Sequence, residues 1–135
     1  MVGSRGKIFE LCGIMLGVLG MLHLAATVEL LHFYRVTAGA AAYKTLAAPT
    51  ALNHILVGVL MLPLGYATWL GGRCLPAWWA RRLCAVSSVT VASFPISLVW
   101  IMRDPRYLHA SVFIVAVGLT CLIAVLMLYA TLSEG

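Results

Sequence analysis

Apolar residues run along this chain in four long blocks, and the polar residues collect between them. The blocks cover about residues 8–32, 46–70, 83–102 and 105–132. Each reaches or exceeds the roughly 20 residues needed to cross the hydrocarbon of a bilayer. A backbone exposed to lipid must satisfy its own hydrogen bonds, so each block is predicted to be helical. The pattern predicts an all-α integral membrane protein, a four-transmembrane-helix antiparallel bundle. Residues 1–135 then form a single transmembrane domain, with no room for a soluble module.

The connections carry their own signals. Asp104-Pro105 reads as a helix start, with Asp at the N-cap and Pro at the first helical position. That makes the third connection a tight turn and its two flanking spans antiparallel neighbours. The second connection is read from Gly71-Gly72-Arg73 through Pro76, Trp78 and Trp79 to Arg81 and Arg82. Tryptophan and arginine together are typical of the headgroup level, so this segment is expected on a membrane surface. Pro63 and Pro95 fall inside spans and are expected to kink them.

Composition agrees with the pattern. Of 135 residues, 63% are hydrophobic and 10% charged. A soluble domain carries about 25% charged residues. The mean hydropathy is +1.03. The net charge of +5 lies almost wholly at segment ends, where it meets lipid headgroups. No basic run interleaved with aromatics suggests nucleic acid. Arg5, Lys7, Arg73, Arg81 and Arg82 fall on one side of the predicted bundle, and Arg35, Lys44, Arg103 and Arg106 on the other. The positive-inside rule then puts both termini in the cytoplasm, by a narrow margin. The expected location is a plasma (inner) membrane. The apolar run after Arg5 and Lys7 is too long for the core of a signal peptide and is read as a true span. Cys12 and Cys121 read as packing residues. Cys74 and Cys84 flank one loop and would pair only in an oxidising compartment.

Small residues predict which faces pack, because they let helices approach closely in a membrane. In span one they are Gly13, Gly17, Gly20 and Thr27, with Gly13 and Gly17 in Gly-x-x-x-Gly spacing. In span two they are Ala47, Ala51, Gly58 and Gly65, with His54 among them. Span three offers Thr90, Ser93 and Ser97, with Val86 one turn before. Its hydroxyls can bond across helices or back to their own carbonyls. Span four offers His109, Phe113, Ala116, Thr120 and Ala124.

The four histidines carry the candidate chemistry. Ionisable groups inside a bilayer cost free energy and mark functional sites. His23 and His54 lie roughly 13 Å and 12 Å from the same side, at about 1.5 Å of rise per residue. Neutral imidazole coordinates iron, copper or zinc. The two are expected to face each other across spans one and two, or both to face a shared central cavity, and to serve as axial ligands of haem b held between the two spans or between two copies of the chain. Gly20 and Gly58, about one turn away, would leave room for the macrocycle. Arg35, Arg103 and Arg106 at the same rim would pair with its propionates. A copper or zinc site from His23, His54, His32, His109 and Glu29 is the alternative, as is no cofactor at all. Glu29 and His32 form one Glu-x-x-His, but a di-iron centre needs that motif twice plus two more glutamates. The layout is similar to that of small four-helix membrane b-type cytochromes.

No catalytic residue emerges: there is no nucleophile–base pair and no glycine-rich phosphate loop. Three functions follow as expectations. The first is a haem b electron-transfer subunit. The second is an accessory or assembly subunit of a larger respiratory or oxygenase-type membrane complex. The third is a small oligomeric transporter or channel. The expected partners are the lipid bilayer and either further copies of the chain or the subunits of such a complex.

Overall fold

Long apolar runs with few breakers fold as helices, and a computed structural model has four of them among the residues it describes. It describes residues 3–37, 48–101 and 111–133. Helix α1 is Ser4–Thr37, α2 is Ala48–Arg73, α3 is Trp78–Ile101 and α4 is Ser111–Leu132. No strand occurs among the described residues. None of the helices divides into an apolar and a polar face. Large apolar side chains stand exposed on all of them, among them Leu22 on α1, Leu60 on α2, Val89 on α3 and Val125 on α4. Helices apolar all round are either buried or in lipid. Two of them hold stretches long and apolar enough to cross a membrane, Ser4–Glu29 and Ala51–Arg73.

The second connection is shorter than the sequence suggests. Helix α2 continues through Gly71, Gly72 and Arg73, and α3 begins at Trp78, so only Cys74–Ala77 is turn. The Ala77 amide donates to the Cys74 carbonyl at 2.8 Å. The two glycines do not break the helix because they serve close approach. A Cβ on Gly71 would stand 2.7 Å from Cys84 Sγ, and one on Gly72 would stand 2.7 Å from the Gly6 carbonyl oxygen. Pro63 and Pro95 are both accommodated inside helices. The expected helix start at Asp104-Pro105 lies outside the described residues.

By contact, the chain divides into two compact units. One comprises Met1–Met15 and Gly65–Gly135, the other Leu16–Leu64. In the first, α3 packs on α4. Phe9, Cys12, Cys84, Val91, Ile123 and Met127 are almost wholly buried there. Helix α3 turns a different face inward from the one expected. Val86, Thr90 and Ser93 are exposed, while Cys84, Ser87, Ser88 and Val91 are buried. The Thr90 and Ser93 hydroxyls donate to carbonyls of their own helix, at Val86 and Thr90. That self-sufficiency lets them face outward at little cost. It is Ser88 that reaches across, with its Oγ 2.9 Å from Thr131 Oγ1. On α4, Thr120 and Ala124 are buried as expected, and the side chains of His109, Phe113 and Ala116 are not described. Arg5 donates from Nε to the Ala130 carbonyl at 2.9 Å and from Nη2 to the Thr131 carbonyl at 3.4 Å. It thereby caps carbonyls that α4 leaves unpaired at its C-terminus. All four cysteines are free, Cys74 and Cys84 included.

Candidate functional site

The candidate site is built on a seven-residue repeat of small residues. Gly6, Gly13, Gly20 and Thr27 recur at that spacing on α1, and Ala51, Gly58, Gly65 and Gly72 on α2; all eight are buried. In the first unit Gly72 meets Gly6, and Gly13 meets Gly65 and Trp69. In the second unit Gly20 meets Gly58. Numbers rise on one helix as they fall on the other, so α1 and α2 run antiparallel. A strict heptad repeat keeps one seam of a helix against its neighbour. Glycine brings the two backbones into contact: a Cβ on Gly13 would lie 2.6 Å from the Gly65 carbonyl oxygen, and one on Gly20 3.0 Å from that of Gly58. The Gly13–Gly17 spacing is therefore not the packing motif. An added Cβ on Gly17 would meet open space, and Leu16 is buried between Gly13 and Gly20.

His23 follows Gly20 by three residues and His54 precedes Gly58 by four, so both rings emerge beside the same helix contact. They stack, with ring centroids 5.3 Å apart and ring planes 30° from parallel. Both residues are partly buried. His23 Nδ1 lies 3.1 Å from the Leu19 carbonyl oxygen. A carbonyl only accepts, so Nδ1 carries the proton and the lone pair stands on Nε2. Thr27 Oγ1 donates to the His23 carbonyl at 2.9 Å, which ties the next turn to the same residue. His54 Nδ1 is buried and has no hydrogen-bond partner. A buried polar nitrogen left unpaired costs free energy and calls for an explanation.

The other expected residues divide into two groups. Glu29, His32 and Arg35 are on α1 and exposed. His109, Arg103 and Arg106 lie outside the described residues. Among the described residues, no group of three or more His, Cys, Asp or Glu side chains is placed to hold a metal ion. Glu29 and His32 thus do not join the histidine pair. The room expected at Gly20 and Gly58 is taken up as well. Gly20 is closed by the Gly58 carbonyl and Met61, and Gly58 by Leu24.

Comparison with known proteins finds no matching family model, no similar characterised protein and no similar solved structure.

The pair's separation limits its chemistry. An iron–nitrogen or zinc–nitrogen bond is about 2 Å, and a ring centre lies about 1 Å beyond its nitrogen. Trans ligands on one haem iron would place their ring centres about 6 Å apart, and cis ligands on a tetrahedral ion about 5 Å. The ring centroids stand 5.3 Å apart, between neighbouring backbones. Sequence reasoning identified the pair but missed the heptad that delivers it. The signal was present: a small residue every seventh position, four times on each helix.

Proposed function

We propose that this chain is a small integral membrane protein of four antiparallel spans, and that His23 and His54 together bind a transition-metal ion within it. The observation that carries the site is the stacked imidazole pair at 5.3 Å, with one nitrogen buried and unpartnered. Copper or zinc held in cis suits that separation better than haem iron held in trans. Two imidazoles leave coordination positions for water, a substrate group or a second copy's histidines. Haem b with one histidine from each of two copies is the electron-transfer form of the same reading.

The test is spectroscopic and elemental. The full chain is purified in mild detergent after expression with haem, copper and zinc supplied. About one metal ion per chain, lost in both His23→Ala and His54→Ala and retained in His32→Ala, is the expected result. A Soret band with a reduced α-band would instead assign haem to the same residues. A colourless, metal-free protein overturns the binding function.

The accessory-subunit reading would then stand first. Gly17 and Gly118 favour it, because each leaves open space where another helix can approach. On a native gel after mild extraction, such a subunit migrates within a larger assembly. The transporter reading rested on the hydroxyls of α3, and Thr90 and Ser93 have turned theirs back to their own helix.

A further inference from the structure

The turn between α2 and α3 gathers positive charge that no carboxylate among the described residues pairs with. Arg73 ends α2, and Arg81 and Arg82 lie in the first two turns of α3. All three are exposed. Glu10 and Glu29 are the acids among the described residues, and neither forms an ion pair with these arginines. Arg5, on the same side of the chain, is committed to the carbonyls that end α4. Among the described residues, the three guanidinium groups near the turn have no acidic partner.

Two of them are held in place by indoles. The Arg73 guanidinium carbon stands 5.0 Å over the Trp69 ring, and that of Arg82 stands 5.3 Å over the Trp78 ring. A guanidinium parked on an aromatic face keeps its N–H edge free, and that edge matches the oxygens of a phosphate. Tryptophan itself favours the level where headgroups meet hydrocarbon. Trp78 and Trp79 are both exposed at this turn.

The helix end adds a second argument. Helix α3 has no acidic residue in its first turn. The start of a helix carries partial positive charge, so Arg81 and Arg82 there are electrostatically unfavourable. An anion at the turn would reverse the sign of that interaction. Arg73, at the opposite pole of α2, already sits where a cation is favoured.

We infer that Arg73, Arg81 and Arg82, with Trp69 and Trp78, form a binding site for the phosphate of an anionic phospholipid headgroup. The site rests on the membrane reading above, since the ligand is part of the surrounding bilayer. It is independent of the histidine pair.

The experiment compares the full chain with R73Q/R81Q/R82Q in micelles containing either phosphatidylcholine or phosphatidylglycerol. Thermal unfolding and lipid retention in native mass spectrometry are the readouts. The unaltered chain should unfold at higher temperature with phosphatidylglycerol and retain it in preference to phosphatidylcholine. Each arginine removed should weaken that preference on the order of fivefold. In phosphatidylcholine alone, the triple variant should be no less stable than the unaltered chain, because two repulsive charges have left the start of α3. R82Q alone, with a partial loss of preference, supports the site even where the triple variant fails to fold. An equal preference in all variants overturns the inference, as does the same stabilisation by inorganic phosphate without lipid. Flotation with phosphatidylcholine vesicles separates the two proposals. A chain that floats yet shows no headgroup preference loses the site alone, whereas a chain that does not float loses the membrane reading with it.

Discussion

At the scale of residues, glycine and histidine act together. Imidazoles on neighbouring helices stack at 5.3 Å only because Gly20 and Gly58 let the backbones touch one turn away. The same logic separates glycines that look alike in the sequence. At Gly13, an added methyl would lie 2.5 Å from the Trp69 amide nitrogen, and backbone cannot yield as a flexible side chain does. Gly13→Ala is expected to destabilise the protein by about 1–3 kcal/mol through overpacking. At Gly17 the same methyl meets nothing. Gly17→Ala should be neutral or stabilise by up to about 1 kcal/mol, since alanine is the better helix former. Unfolding of both variants in one detergent checks the pair, and equal effects would refute the heptad seam.

At the scale of elements, α3 shows how a hydroxyl's partner decides its meaning. Thr90 donates to Val86 and Ser93 to Thr90, so neither hydroxyl needs a neighbouring helix. Thr90→Val and Ser93→Ala should each change stability by less than about 0.5 kcal/mol. Ser88 is placed differently. Its hydroxyl lies 2.7 Å from the Cys84 carbonyl and 2.9 Å from Thr131 Oγ1, which in turn donates to Met127 at 2.8 Å. Removing it leaves a gap in a buried network between α3 and α4. Ser88→Ala should cost about 1 kcal/mol, read as a lower unfolding midpoint. Periodicity alone could not rank these residues, because small and hydroxylated side chains occur on both faces of α3. The turn before it was misjudged for a related reason. Gly71 and Gly72 look like helix breakers in sequence, but they are kept helical by contacts with Cys84 and Gly6 that sequence does not display.

At the scale of the whole molecule, the start of the first helix and the end of the last one meet. The Arg5 guanidinium reaches the Ala130 and Thr131 carbonyls, so the start of α1 adjoins the end of α4. Under the membrane reading proposed above, an even number of crossings brings both ends to one face. Reporter fusions at the two termini should therefore report the same side, and a fusion in the turn at Cys74–Ala77 should report that side too. Termini on opposite faces would refute the four-span arrangement. The basic residues divide five against four between the predicted sides, so charge alone fixes the orientation only weakly.

Hydrophobic patterning by itself determined that the described residues are largely helical and placed the helix ends that can be compared to within about five residues. It did so because a long apolar run has few ways to satisfy its backbone. It also placed His23 and His54 at one level of neighbouring helices, since rise per residue is fixed by helix geometry. Patterning could not decide which seam of each helix faces its neighbour. That choice depends on where backbones meet, and a small residue is equally small on either face. Only the tertiary structure selected the heptad of Gly13 and Gly20 over the Gly13–Gly17 pair and turned Thr90 and Ser93 outward. Contacts between residues such as Gly20 and Gly58, thirty-eight positions apart, set those outcomes, and no local signal carries them.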